Sequence, residues 1–310
     1  MNNKLDFSRP LVVLAPLAGY TDLPFRSVVK KFGADLTISE MISSNALVYK
    51  SARTLKMIEK SPTEDPYFVQ IAGNSVDLVK AAVEILNDVE GIDGIDLNCG
   101  CPAPKVFNHG SGSNLLGDLK KLEEILSTVK KYSKKQYTSA KVRLGVNEKI
   151  PVEIGKAVEA CGVDFVSVHG RTRAGKYKAP VDYDAIKMMK EAVSIPVIAN
   201  GDIKDYDKAK EVLEYTKANG VMIGRGAIGK PWVFYQLKHG IEDISNEKKK
   251  EIILEHFDAM LKFHGPHGAI MFRKLLHSYS KGYTGANEFR DIVNKISDVD
   301  VMRDMIENFF

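Results

Sequence analysis

The sequence predicts an α/β fold in which eight parallel strands close into a barrel, followed by a small all-helical domain. Its 310 residues, 44% of them hydrophobic, suffice for a barrel of roughly 250 residues and a surplus of about 60. Short apolar runs recur along the chain with helix-compatible segments between them. Nearly every run ends in polar or glycine-rich residues. These three observations carry the prediction.

Eight apolar runs predict the strands. They cover residues 11–16, 36–41, 67–73, 94–98, 139–145, 165–171, 195–202 and 220–226. Parallel neighbours need a crossover, and the segments 76–89 and 204–218 are typical of crossover helices. Such strands most economically close into a (β/α)8 TIM barrel. A doubly wound open sheet is the alternative, but polar residues at the strand ends favour a barrel, whose mouth brings them together.

After residue 241 the pattern changes to helix without strand. Apolar residues at helical spacing predict a helix over 246–263, which Gly265 and Pro266 end. Further helical pieces cover 269–281 and 288–310. The predicted domains are therefore a barrel over 1–242 and a helical domain over 243–310.

The composition excludes several classes of protein. Disordered and collagen-like chains lack this apolar content. The net charge of +4 is mild, so a polyanionic partner would have to meet a local patch. Three cysteines cannot form a full disulfide framework and suit a reducing compartment. No apolar stretch approaches a membrane span, and we expect a cytoplasmic protein without signal peptide or anchor.

Two glycine turns predict a phosphate site. Asn200, Gly201 and Asp202 follow the seventh predicted strand, and Gly224 with Arg225 follows the eighth. Barrels commonly bind phosphate after these strands, because small residues let backbone N–H groups approach the oxygens and an arginine adds charge. A phosphorylated cofactor or substrate is implied.

A cysteine pair lies after the fourth predicted strand. Cys99 and Cys101 are two residues apart, and neither His109 nor Cys161 supplies a second pair at ligand spacing, so we expect no metal site. Alternate residues of an extended backbone point in opposite directions. We expect Cys99 in the core and Cys101, in a loop at the mouth, to do chemistry.

Lys141 and His169 lie on neighbouring predicted strands. A cationic lysine beside a histidine suits an electron-rich, anionic group. A lysine inside a barrel also suits Schiff-base chemistry, as in an aldolase-type lyase. The residues alone leave both possibilities open.

Several motifs resemble those of the bacterial tRNA-dihydrouridine synthases, in order and at the family's spacing. They occupy residues 14–26, 96–106, 110–116, 141–145, 168–173, 196–203 and 220–232. Residues 272–290 are similar to the helical region of the same family, particularly its subgroup B. The resemblance implies an FMN-containing barrel that reduces the C5–C6 double bond of a uridine in the tRNA D-loop, with NADPH recharging the flavin.

The resemblance also implies roles for individual residues. Its cofactor positions are Pro16, Leu17, Ala18 and Gln70 beside the isoalloxazine ring, Lys141 and His169 against the flavin, and Asn200, Gly201, Asp202, Gly224 and Arg225 around the phosphate and ribityl chain. Cys101 matches the general acid that protonates C5 after hydride reaches C6, and Asn98 matches the asparagine that holds the uracil. Arg143 and Arg171 would face substrate or flavin.

One loop departs from the family pattern. Residues 174–180 lack the usual residues after the histidine–glycine–arginine motif, so the substrate contacts of this loop are open. Its Lys176 and Lys178 suit either phosphate contact or simple solvation.

A basic stretch within the helical domain predicts the RNA contact. It contains Lys262, Arg273, Lys274, Lys281 and Arg290 against one acid, Glu288. We expect Arg273 and Lys274 to bind tRNA, with Tyr279 and Tyr283 available to stack on bases. No stable protein partner is implied.

Three other functions compete with this interpretation. A flavin-dependent dehydrogenase of a small free pyrimidine would explain the barrel and Cys101 but leave the basic stretch unused. A phosphate-binding lyase would use Lys141, and flavin absorbance would exclude it. An RNA-binding relative without catalysis would have no use for Cys101, Lys141 and His169.

Overall fold

The computed structural model describes residues 5–49 and 51–310, so residues 1–4 and 50 of the predicted barrel domain lie outside this description. Its strands are β1 Leu11–Leu14, β2 Thr37–Ile38, β3 Ile42–Ser43, β4 Tyr67–Ala72, β5 Gly94–Cys99, β6 Tyr137–Arg143, β7 Phe165–His169, β8 Val197–Asn200 and β9 Gly220–Ile223. All pairings are parallel, in the order β1-β9-β8-β7-β6-β5-β4-β2. A parallel bridge between Val13 and Leu36 joins the two ends. The predicted (β/α)8 barrel is confirmed.

The second predicted strand, residues 36–41, is two short strands in the structure. β2 and β3 both pair with β4, through Thr37 opposite Tyr67 and Ile42 opposite Ile71. Between them, the Ser39 hydroxyl accepts the hydrogen bond of the Gln70 N–H at 3.0 Å. A side chain therefore replaces the backbone acceptor there and interrupts the ladder.

Helices surround the barrel and connect its strands. They are α1 Leu23–Lys31, α2 Ser44–Val48, α3 Ala52–Met57, α4 Val76–Asn87, α5 Pro104–Asn108, α6 Leu119–Tyr132, α7 Pro151–Ala160, α8 Tyr183–Ala192, α9 Tyr206–Thr216 and α10 Val233–His239. Several begin at an aspartate or serine whose side chain accepts a backbone N–H, as Asp205 does for α9. Such caps satisfy donors that have no partner within the helix.

Side chains alternate along the strands and divide the barrel interior into two layers. Phe68, Phe165 and Ile198 lie within the first two residues of their strands and are buried together with Met222 of β9. The next inward positions toward the carboxyl ends are polar, as Gln70 is two residues after Phe68. The apolar layer closes the bottom, and the polar layer forms the floor of the mouth.

The C-terminal region contains α11 Asn246–His264, α12 His267–Tyr279, α13 Ala286–Val293 and α14 Val299–Phe309. The predicted piece 288–310 is two helices, because the Asp298 carboxylate caps a new start by accepting from the N–H groups of Asp300 and Val301. These helices share an apolar cluster with Val28 of α1 and with Phe32 directly after it. The division after residue 242 stays a prediction. None of the helices described is long and apolar enough to cross a membrane.

Candidate active site

A cavity of about 1150 Å³ opens at the carboxyl ends of the strands. It is lined by every predicted site residue except Arg171, Arg273 and Lys274. Residues from β4 to β8, from the loops after β1 and β9 and from the C-terminal region contribute to its wall, as the convergence of parallel strands in a barrel requires.

The floor of the cavity holds Asn98 and Cys101. The Asn98 Oδ1 accepts from the backbone N–H groups of Cys101 at 2.9 Å and Gly100 at 3.2 Å. The Cys101 carbonyl in turn accepts from the Ser113 hydroxyl at 2.8 Å. These bonds fix the loop that presents the Cys101 thiol, which remains partly exposed, while Cys99 is buried as expected.

Asp96 lies beneath this floor and was missed as a site residue. Its fully buried carboxylate accepts from Gln70 Nε2 at 2.7 Å and from the Ser139 hydroxyl at 2.6 Å. Burial raises the pKa of Asp96 to about 6. Its position two residues before Asn98 on β5 was the available signal, because alternate strand residues share a face.

Lys141 and His169 line one wall of the cavity. The Lys141 ammonium donates to Asn200 Oδ1 at 3.0 Å. Desolvation, and then the charge of Arg143, lowers the pKa of Lys141 to about 8. Burial, with the charges of Lys141 and nearby arginines, lowers the pKa of His169 to about 2. His169 is therefore neutral at physiological pH, whereas most of the lysine is charged.

An aspartate between two arginines continues this wall, since Arg171 Nη1 lies 3.3 Å from His169 Nε2. Asp202 binds Arg171 Nη2 at 2.5 Å and Arg225 Nη2 at 3.0 Å, and its pKa is lowered, first by the hydrogen bond from Arg171. The Arg171 side chain is buried behind this wall, whereas the Arg225 side chain is 49% exposed. Of the two arginines, Arg225 is therefore the one whose side chain opens into the cavity.

Gly201 lets the turn before Asp202 pack closely against Val181 and His169. Its φ of +135° is a conformation that other residues rarely adopt, and a Cβ there would lie 2.9 Å from the Val181 side chain and 3.2 Å from that of His169. Any larger residue would strain the turn between His169 and Asp202.

Arg143 fixes the divergent loop over residues 174–180. Its buried guanidinium donates to the carbonyls of Gly100 at 2.8 Å, Thr172 at 3.0 Å and Lys176 at 3.1 Å. The loop carries Tyr177 over the mouth, where the Arg225 guanidinium lies 4.2 Å from its ring centre. Arg143 therefore joins this loop to the loop that bears the cysteine.

Basic side chains on several elements extend along the cavity rim. Lys204 and Lys230 come from the loops after β8 and β9, Lys249 from α11 and Lys281 from the segment after α12. Sequence reasoning singled out only Lys281: Lys204 and Lys230 stand apart from other basic motifs, and Lys249 belongs to a lysine run between Glu247 and Glu251 that is typical of an exposed helix start. The positions of Lys204 and Lys230 just after barrel strands were the available signal.

The predicted RNA-binding pair lies outside the cavity. Arg273 donates from Nε to the Ile296 carbonyl at 2.9 Å. Lys274 donates to the Gly19 carbonyl at 2.5 Å, and its ammonium lies 5.0 Å from the centre of the Tyr20 ring. Both side chains hold neighbouring segments together, and their role in RNA binding stays a prediction.

One expected aromatic contact is wrong. Tyr279 is buried, and its hydroxyl pairs with His256 Nδ1 at 2.8 Å. Its ring packs against Trp232, with the ring centres 6.2 Å apart, so it has no face for a base. Tyr283, the other candidate, lines the cavity.

Comparison with known proteins identifies close relatives over nearly the whole chain. The dihydrouridine synthase (Dus) family profile matches residues 13–310. A probable tRNA-dihydrouridine synthase of Helicobacter pylori is 53% identical over 99% of this chain and 94% of its own. The tRNA-dihydrouridine synthase B of Vibrio parahaemolyticus is 38% identical over 96% of this chain and 95% of its own.

Solved structures share the barrel at low identity. An old yellow enzyme homologue from Zymomonas mobilis aligns with a TM-score of 0.52 and 11% identity over 76% of this chain and 90% of its own. At that identity the match supports the fold, a (β/α)8 barrel, and nothing finer.

Proposed function

The chain belongs to the dihydrouridine synthase family, and we propose that it reduces the C5–C6 double bond of a uridine in the tRNA D-loop, using FMN that NADPH recharges. It is an oxidoreductase of the tRNA-dihydrouridine synthase type. The observation that carries the proposal is the single cavity shared by Cys101, Lys141 and the Asp202–Arg225 wall.

The cavity fits FMN in size and charge. Its volume of about 1150 Å³ exceeds the roughly 300–1,000 Å³ typical of small-ligand pockets, which leaves room for a base beside the cofactor. Pro16, Leu17 and Ala18 would border the ring, with Gln70, Lys141 and His169 opposite polar ring atoms. The half-exposed Arg225, with Gly201 and Gly224, would hold the phosphate.

The chain's own residues would complete the reduction. When bound, the reduced flavin supplies a hydride to C6 of the uracil. Asn98 holds the base, and Cys101 donates a proton to C5 from its thiol, which is general acid catalysis. Lys141 provides positive charge beside the region where electron density accumulates.

The rim supports a large polyanionic substrate rather than a free pyrimidine. Lys204, Lys230, Lys249 and Lys281 belong to both the barrel loops and the C-terminal region. A free pyrimidine has no phosphate for these lysines to bind, whereas RNA phosphates are bound by lysines spread over a surface.

Purified protein and defined tRNA test the proposal. We expect flavin absorbance, release of FMN on denaturation, and NADPH-dependent formation of dihydrouridine in unmodified tRNA, detected by mass spectrometry. Transcripts with single uridines replaced in the D-loop would then locate the product. Colourless protein that leaves tRNA unchanged with added FMN and NADPH would contradict the proposal.

A further inference from the structure

A chain of buried hydrogen bonds runs from Asp96 to the loop of Cys101. Asp96 Oδ2 accepts from Gln70 Nε2 at 2.7 Å, and Gln70 Oε1 accepts from Asn98 Nδ2 at 2.8 Å. Asn98 Oδ1 then accepts from the Cys101 N–H at 2.9 Å. Asp96, Gln70 and Asn98 are all buried, so water cannot readily substitute for a lost partner.

At both ends of this hydrogen-bond chain the donor and acceptor roles are fixed. An ionised carboxylate only accepts, and a backbone N–H only donates. The amides between them satisfy both ends in one orientation only, with the Gln70 nitrogen toward Asp96 and the Asn98 oxygen toward Cys101. The reversed orientation would place a donor against the N–H of Cys101, leaving a buried polar group unpaired.

The orientation decides what Asn98 offers to the cavity. Its Nδ2 has two hydrogens, one of which goes to Gln70. The second hydrogen is left for a ligand, because Asn98 lines the cavity. A flipped Asn98 would offer an oxygen instead and would repel a carbonyl group of a pyrimidine.

We propose that Asp96 is a positioning residue that acts through Gln70 to hold Asn98 as a hydrogen-bond donor to the substrate and to hold the Cys101 loop in place. The proposal rests on the proposed function for its substrate, a uracil. Asp96 itself contacts neither substrate nor cofactor, since Gln70 and Asn98 lie between it and the cavity.

Asp96→Leu tests the hydrogen-bond chain, with Ser139→Ala as the control. Leucine keeps the branched shape of the side chain but accepts no hydrogen bond, so Gln70 Nε2 loses its acceptor. An asparagine would keep the chain, because its oxygen would still accept from Gln70 while its NH2 donated to the Ser139 hydroxyl. Ser139 donates to the other oxygen of the same carboxylate, at 2.6 Å, so Ser139→Ala leaves the Gln70–Asn98 bonds intact. The difference between the two variants therefore reports the bond between Asp96 and Gln70.

We expect Asp96→Leu to retain flavin and to lower kcat by roughly 10- to 100-fold, the scale of a small misplacement of reacting groups, with KM for tRNA within about twofold. Ser139→Ala is expected to stay within about threefold of the native kcat. A second readout is alkylation of Cys101 by iodoacetamide, followed by peptide mass spectrometry. Alkylation should be several-fold faster in Asp96→Leu and unchanged in Ser139→Ala.

The outcomes separate the two proposals. Equal kcat and equal Cys101 alkylation in the two variants would show a purely structural role and overturn the inference. If native protein makes no dihydrouridine, the proposed function fails, while the alkylation rates still decide whether Asp96 holds the loop.

If Asp96→Leu does not fold, Gln70→Met supplies the test at the next bond. It removes both the donor to Asp96 and the acceptor of Asn98 Nδ2. Alkylation of Cys101 should then be several-fold faster than in native protein. Alkylation at the native rate would overturn the inference.

Discussion

Lys141 on β6 donates a hydrogen bond to Asn200 at the end of β8, at 3.0 Å, across the intervening strand β7. The bond places the Lys141 ammonium beside the turn that bears Asn200 and Asp202. It also explains how two residues 59 positions apart in sequence serve one site.

The charge of Lys141 predicts a pH dependence of cofactor binding. Its pKa is lowered to about 8, so the ammonium is present below that pH and lost above it. We expect flavin-free protein to bind FMN roughly tenfold more weakly at pH 9.5 than at pH 6.5, by loss of one charged hydrogen bond. Quenching of FMN fluorescence measures the affinity. Lys141→Met should be weak at both pH values, and an unchanged native affinity would exclude this role.

Replacement of Cys101 should separate flavin binding from uridine reduction. Cys101→Ala removes the proposed proton donor but no buried contact of the cofactor, so flavin content and its reduction by NADPH should be retained. Dihydrouridine formation should fall by roughly 10²- to 10⁴-fold, the usual contribution of general acid catalysis. The control is Cys161→Ala at a buried thiol of the outer layer. Near-native product from Cys101→Ala would refute the assignment.

Arg225 should recognise the phosphate rather than the flavin ring. Its guanidinium is half exposed and is shared with Asp202 and the Tyr177 ring. Arg225→Ala should weaken FMN binding roughly 10- to 100-fold, the scale of a charge-assisted bond, and leave riboflavin binding nearly unchanged. Calorimetry with both ligands measures the difference. Equal losses for FMN and riboflavin would place the phosphate elsewhere.

The rim lysines should carry salt-dependent RNA binding. Lys249→Ala with Lys281→Ala removes two cations, so tRNA affinity should fall and the slope of log K against log salt should decrease by about 1.5 to 2. Flavin content serves as the internal control. An unchanged salt slope in the double variant would exclude the rim lysines from RNA binding.

Arg273→Ala should instead reduce thermal stability, because the Ile296 carbonyl loses its donor.

Much of the site could be predicted because barrel topology converts strand order into position. The carboxyl ends of parallel strands meet at one mouth, so Lys141, His169 and Asn200 could be brought together from their strand assignments alone. The same rule failed for side chains on helices. Arg273 and Tyr279 look available in sequence, but a helix has a buried face, and only the packing of α12 against α11 and α13 decided which face that is.

The sequence by itself determined the barrel, the composition of the polar mouth and the family, since strand spacing, alternation and local motifs are properties of short segments. Only the tertiary structure decided that Asp96 lies under Asn98, that Arg171 is buried behind Asp202, and that four lysines from separate elements share one rim. These relationships join residues far apart in the chain, and their geometry depends on how strands register and helices pack. No pattern within a single segment predicts this geometry.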